Sequence, residues 1–159
     1  MILVTLWRTY LKKILMICHG NICRSTMAEF VFKKLLADRG LNWEVASAAT
    51  SREEIGNDIH PGTKAKLREM GIPFTPRRAR QITLDDYRQY DLLIGMDRYN
   101  LMNMKRLYGQ DPQNKFCLLL DFSKNPRDIA DPWYTGNFDD TYNDVLEGCI
   151  GLLQHLKQE

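Results

Sequence analysis

The sequence predicts an α/β fold in which a parallel β-sheet carries helices on both faces. Three observations support this. Short apolar, β-prone runs alternate with amphipathic helical patterns along the chain. Two of those runs, Asp91-Leu92-Leu93-Ile94-Gly95-Met96-Asp97 and Lys115-Phe116-Cys117-Leu118-Leu119-Leu120-Asp121, have the continuous apolar centre of strands covered on both sides. The length, 159 residues, suits one domain with a single core.

Residues 1–12 carry apolar side chains at both helical and strand spacings and are expected to form a leader outside a single domain spanning residues 13–159. The opening run Met1-Ile2-Leu3-Val4-Thr5-Leu6-Trp7 is too short to span a membrane. It has no basic residue before it and no small-residue cleavage site after it. Ile14-Leu15-Met16-Ile17 reads as the first strand, and Thr26 to Leu36 as a helix ending near Gly40. Trp43 to Ala48 is a second strand. A polar loop through Thr50, Ser51, Arg52, Glu53, Glu54 and Gly56 leads to a helix opened by Pro61, with Ala65, Leu67 and Met70 inward and Gly71 as its stop.

Ile72 and Phe74 begin an extended piece, and Thr83-Leu84-Asp85-Asp86 is a capping-box-like start to a short helix with Tyr87 and Tyr90. The strand Asp91–Asp97 precedes a helix from about Arg98 to Leu107, with Leu101, Met104 and Leu107 at the inward spacing. Cys117 belongs to the core of the strand Lys115–Asp121. The irregular connection 122–137, with Pro126, Pro132 and Gly136, has a length that is uncommon unless functional. Phe138, Tyr142, Val145, Leu146, Cys149, Leu153 and Leu156 then trace the apolar face of the last helix.

A net charge of +2 gives no overall field for nucleic acid or an anionic membrane. The cluster Arg77-Arg78-Arg80 lacks interleaved aromatics and reads as a solvated loop with one arginine paired to a carboxylate. The four cysteines, Cys18, Cys23, Cys117 and Cys149, show no metal-ligand or thioredoxin-like spacing, and reduced thiols suit a cytoplasmic protein.

The stretch Cys18-His19-Gly20-Asn21-Ile22-Cys23-Arg24-Ser25 lies between the first strand and the first helix. Such a loop aims unpaired backbone N–H groups and the positive end of the helix dipole at one point, an anion site. A thiol there, beside an arginine, is favoured as the nucleophilic thiolate, and the Arg24 fork can hold two phosphoryl oxygens. Gly20 and Asn21 tolerate left-handed backbone angles. Ser25 is a natural N-cap, or alternatively a donor to the Cys18 sulfur.

Cleaving a phosphate monoester through a phosphocysteine also needs a proton donor, later a base for water. Asp131, in Ile129-Ala130-Asp131-Pro132-Trp133-Tyr134, is a candidate beside Asp128, Asp121 and Asp97; by itself it reads first as a turn aspartate, and the sequence pattern alone does not choose among the four. Pro132 restricts Asp131 to extended angles, and Trp133 and Tyr134 can wall a substrate cleft.

The run Ile17 to Ser25, followed by Met27-Ala28-Glu29, together with Asp131-Pro132-Trp133-Tyr134, resembles the low-molecular-weight protein tyrosine phosphatase family, bacterial branch, from about Lys13 to the C-terminus. The resemblance implies a flavodoxin-like three-layer sandwich around a four-stranded parallel sheet. It implies hydrolysis of phosphotyrosine monoesters without cofactor or metal, with Cys18 as nucleophile, Arg24 as clamp and Asp131 as acid, then base.

It further implies that Asn21, Ser25 and Ser47 hold the loop, that Cys23 forms a reversible disulfide with Cys18, and that Arg80 and Asp97 are scaffold. His19, Gly20, Asn21, Ile22, Cys23, Ser25, Glu53, Trp133 and Tyr134 are the expected substrate-binding residues. The expected partners are phosphotyrosine-containing proteins, with no nucleic acid or membrane, for a monomer or weak dimer.

Departures from the family pattern are Thr26 for a usual Pro at the first helical position, Ala48 for Gly, Arg77 for a frequent His, and Glu53 where many members place an aromatic wall. An arginine phosphatase of the same family is the alternative, against which Ile22 crowds the space for a guanidinium. An arsenate reductase needs a close cysteine pair, whereas Cys117 and Cys149 are 32 apart. A phosphate-binding thiol switch would leave Asp131-Pro132-Trp133-Tyr134 without a role.

Overall fold

The apolar run Ile14-Leu15-Met16-Ile17 needs cover on both faces, and it receives it as a central strand. In the computed structural model, which describes residues 12–158, β1 (Lys13–Cys18) pairs in parallel with β2 (Glu44–Ala49) and β3 (Leu92–Gly95), and β3 with β4 (Phe116–Leu118). The sheet order is β2-β1-β3-β4. Ile14, Met16 and Cys18 point to the side packed by α1 (Arg24–Asp38), α2 (Pro61–Glu69) and α6 (Phe138–Gln158). Leu15 and Ile17 point to the other, where Met104 of α4 (Arg98–Tyr108) and Tyr90, after the short helix α3 (Leu84–Gln89), cover them. The period-2 alternation of a strand thus divides one apolar run between two cores.

Residues 1–11, and with them the expected leader, lie outside the described residues. The Lys12 carbonyl accepts from the Glu44 N–H at 2.9 Å, so Lys12 continues the β1–β2 ladder. No helix among the described residues is long and apolar enough to cross a membrane.

Several local expectations are corrected. The run after β4 turns at Leu119–Phe122 into a 3₁₀ helix, because the Asp121 carboxylate accepts the Leu118 N–H at 2.8 Å and Leu119 and Leu120 are buried. In α2 the inward residues are Thr63 and Leu67, four apart, while Ala65 and Met70 face solvent. In α4 Met104 is buried and Leu101 packs partly buried beside it, as expected, but Asn100 is buried too and Leu107 is 45% exposed. The connection 122–137 contains one helical turn, α5 (Pro132–Thr135), capped by Asp131 and closed by Gly136 in the left-handed region. The Thr83 capping box on α3 forms as expected.

Gly151 lets α6 lie against the 3₁₀ helix: a Cβ there would sit 2.1 Å from the Phe122 carbonyl oxygen. Alanine gains about 1 kcal/mol of helix propensity, but overpacking a fixed backbone costs about 1–3 kcal/mol or more. Gly151→Ala is therefore expected to lower the urea midpoint at unchanged m-value, and a raised midpoint would show that α6 can shift freely.

Candidate active site

At the carboxyl end of β1 the sheet order reverses, with β2 on one side and β3 on the other. Doubly wound sheets bind ligands at this point. The loop here runs from Cys18 to the start of α1 at Arg24, and Asn21 takes φ 61°, the left-handed geometry that asparagine tolerates. Around the Cys18 sulfur stand the N–H groups of Asn21 and Ser25, at 3.3 and 3.4 Å, and the Ser25 hydroxyl at 3.1 Å. Asn21 Nδ2 donates to Ser25 Oγ at 2.8 Å, which holds the hydroxyl beside the sulfur.

Ser25 is therefore not the N-cap; Cys23 is, and Ser25 sits in the first turn beneath the sulfur. Thr26 likewise occupies the third helical position rather than the first. Its hydroxyl donates to the carbonyls of Ile22 and Cys23, each at 2.9 Å, and Thr63 donates to Cys23 O at 3.2 Å.

A second layer braces the loop. Asn21 Oδ1 accepts from the Arg80 N–H and from Arg77 Nη2, Arg77 also reaches Ser47 Oγ at 3.3 Å, and Ser47 donates to Glu29 at 2.5 Å. The basic cluster divides accordingly. Arg80 forks onto Asp86 at 2.9 and 3.1 Å, whereas Arg77 turns inward under the loop. Burial lowers the Arg77 guanidinium below its ordinary range, against the pull of Glu29 and Cys18. Sequence reasoning missed Arg77 in this role; the signal was its departure from a frequent histidine.

A cavity of about 100 Å³ opens above the sulfur. Its floor is the loop: Cys18, His19, Gly20, Ile22, Cys23 and Arg24. One wall is Glu53 and Glu54, and the other is Asp131, Trp133 and Tyr134. Asn21 and Ser25, expected to bind substrate, are wholly buried behind the floor, and Ser47, buried on β2, is absent from the cavity lining as well. Glu54 lines the cavity without having been singled out in the sequence. His19 pairs with Glu53 at 3.0 Å, so that wall presents a carboxylate where an aromatic side chain was the family expectation.

Arg24 is buried and held by one edge. Nη1 donates to Asp97 at 2.6 Å and to the Ile129 carbonyl at 2.8 Å, and Nη2 approaches Asp131 Oδ2 at 3.4 Å. Nε is buried with no hydrogen-bond partner among the described residues. The Nε–Nη2 edge is the one a phosphoryl group can take bidentately. Burial works against the charge, but the Cys18 sulfur and the Asp97 carboxylate outweigh it and hold Arg24 above its ordinary range.

Of the four candidate aspartates, Asp131 lines the cavity. Asp97 holds Arg24 and caps α4, Asp121 takes the Leu118 N–H, and Asp128 pairs with Arg98. Asp131 is also the turn aspartate of the other reading, since Oδ1 accepts the Trp133 N–H at 3.0 Å. One carboxyl oxygen caps the turn and the other faces Arg24.

All four cysteines are free thiols. Cys117 on β4 and Cys149 on α6 lie away from the cavity lining; Cys149 is buried as the core reading expects, whereas Cys117 is partly buried against the core. Burial, with the Cys18 and Asp131 charges adding to it, pushes the Cys23 thiol up to about 12. Cys23 is therefore a neutral thiol throughout the physiological range. Iodoacetate at pH 7 is expected to alkylate Cys18 alone, and inorganic phosphate to slow that labelling; peptide mapping that finds Cys23 modified first would contradict this assignment.

Fold and site define the class first: a doubly wound α/β protein with a thiol seated in an anion-binding loop against a buried arginine. The sequence pattern of the family described as low molecular weight phosphotyrosine protein phosphatase matches residues 13–159. The human low molecular weight phosphotyrosine protein phosphatase is 40% identical over 150 residues, covering 90% of this chain and 94% of its own.

The crystal structure of YfkJ from Bacillus subtilis matches with a TM-score of 0.90 at 35% identity, over 94% of this chain and 96% of that one. That of DARP, described as a Drosophila arginine phosphatase, matches with a TM-score of 0.83 at 30% identity, over 90% and 96%. The chain belongs to the low molecular weight phosphotyrosine protein phosphatase family.

Proposed function

We propose that this protein is a phosphatase that hydrolyses phosphotyrosine monoesters on proteins through a phosphocysteine at Cys18. The observation that carries the reading is the buried, partnerless Arg24 Nε beside a sulfur that faces two amides and a hydroxyl. A phosphoryl dianion satisfies both at once. Its equatorial oxygens take the Nε–Nη2 edge of Arg24 and the amides of the loop, while its phosphorus faces the sulfur in line with the leaving oxygen.

In the first step the P–S bond forms as the P–O bond to the phenol breaks, and Asp131 gives its proton to the departing oxygen. In the second, Asp131 takes a proton from water, the water oxygen attacks phosphorus, and the P–S bond breaks to release phosphate and the thiolate. The bound dianion competes with Asp131 for Arg24, which frees the Asp131 Oδ2 to meet the leaving oxygen.

The aromatic pair Trp133 and Tyr134, 57% and 84% exposed, supports an aryl substrate lying along that wall, with His19 and Glu53 opposite. The protein acts on phosphotyrosine-containing proteins in the cytoplasm, as a monomer or weak dimer, and takes no nucleic acid or membrane as partner. Residues 13–159 are its single phosphatase domain. The Cys18–Cys23 pair serves as a reversible redox lock.

A second reading is favoured by the likeness to DARP: phosphoarginine as substrate. Against it, Ile22 projects into the cavity lining, where a guanidinium would need room. Rates on phosphotyrosine and phosphoarginine peptides, measured with chelator present, decide between the two. Faster turnover of phosphoarginine would overturn the assignment, and tight phosphate binding with no turnover of either would leave only the thiol switch.

A further inference from the structure

His60 has no role in the steps above, yet three segments of the site meet on it. Its backbone N–H donates to the Ile22 carbonyl in the thiol loop at 2.9 Å. As N-cap of α2, its Nδ1 accepts the Gly62 N–H at 2.9 Å, which puts the ring proton on Nε2 and fixes the ring's orientation. The ring stacks on Phe138, with centroids 5.3 Å apart and planes at 23°, and meets Trp133 edge-on at 5.7 Å and 80°. Phe138 in turn packs on the cluster of Ile22, Cys23 and Ala79. It also fills the space that Gly62 leaves open, where a Cβ would come within 2.3 Å of its ring.

The acid turn needs such an anchor. A four-residue helix has no stability of its own, and in α5 Pro132 is the buried residue while Trp133 and Tyr134 are exposed. Trp133 is also the residue whose N–H holds Asp131 Oδ1. Where the indole is held, the carboxyl is held, and a displacement of about 1 Å in a reacting group can cost about 10²-fold in rate.

We propose that His60 is a positioning residue for the proton donor: its capped imidazole, wedged between Phe138 and Trp133, sets the Asp131 turn at its distance from the Cys18 loop. The proposal rests on the reading of Asp131 as the acid. The test uses His60→Asn, whose amide oxygen can still cap Gly62 without the ring, and His60→Phe, which keeps a ring and loses the cap. Single-turnover phosphorylation rates are measured on aryl phosphates whose phenols span a range of acidity, with Asp131→Asn alongside.

His60→Asn is expected to slow phosphotyrosine turnover about ten-fold with little change in KM, and to steepen the dependence on phenol acidity in the direction of Asp131→Asn. His60→Phe is expected to stay within a few-fold of the parent and to keep its shallow dependence. A uniform loss across all phenols in His60→Asn, or a steep dependence in His60→Phe, overturns the proposal. If circular dichroism finds His60→Asn unfolded, Trp133→Ala, which removes the indole that the His60 ring meets, decides: a steepened dependence on phenol acidity supports the proposal and a uniform loss overturns it. A flat series in Asp131→Asn overturns the acid assignment itself, whereas a steep one beside a flat His60→Asn overturns only the role of His60.

Discussion

Cys18→Ser is expected to lose turnover on aryl phosphates by about 10⁴-fold or more while still binding inorganic phosphate. A serine hydroxyl at this position meets the same two amides and the same Arg24 edge, so the anion site survives. What it lacks is the reactivity of sulfur: an alcohol in the same surroundings is a far weaker acid and a far poorer nucleophile than a thiol. Burst kinetics for rate and calorimetry for phosphate separate the two quantities. Residual turnover near the parent rate would remove Cys18 from the chemistry, and loss of phosphate binding would mean that the sulfur holds the loop together.

The second large effect is expected for Asp131→Asn, with turnover on phosphotyrosine lower by about 10²–10⁴-fold, the range a positioned general acid supplies. Asparagine is preferable to alanine here because Asp131 also caps α5. Alanine would remove the cap, worth about 1 kcal/mol, and confound chemistry with stability. Asn keeps an acceptor for the Trp133 N–H and has no proton to exchange. The melting temperature should therefore hold while the rate falls. The fall should shrink for esters of acidic phenols, whose leaving oxygen needs no proton in the first step. An unchanged rate on phosphotyrosine would place the proton donor elsewhere on the cavity wall, where Glu53 and Glu54 are the remaining carboxylates.

Where local chemistry dominates, the sequence was legible. The run 14–17 is buried on both faces whatever surrounds it, and Thr83 with Asp86 closes its own cap. Asn21 adopts its left-handed angle in a loop whose residue types call for one. The misreadings fall where two segments far apart in sequence compete for one face. Leu119 and Leu120 read as strand, because an apolar run has no way to declare that α6 will pack on it with Gly148 and Gly151 and require a 3₁₀ turn. Leu107 and Met70 have inward spacing, yet they are 45% and 43% exposed near the ends of their helices.

The amino-acid sequence by itself determined the thiol loop: which residue carries the sulfur, which carries the guanidinium, and that a strand and a helix present them to an anion. These are consequences of spacing within eight residues. Only the tertiary structure decided which of four aspartates lines the cavity above the thiol loop, that Arg77 braces Asn21 from 56 residues away, and that His60 touches both the Ile22 carbonyl of that loop and Trp133 of the Asp131 turn. The reason is physical. A side chain's acidity, exposure and partners depend on what the folded chain brings alongside it, and contacts between distant segments leave no periodicity in the sequence to read.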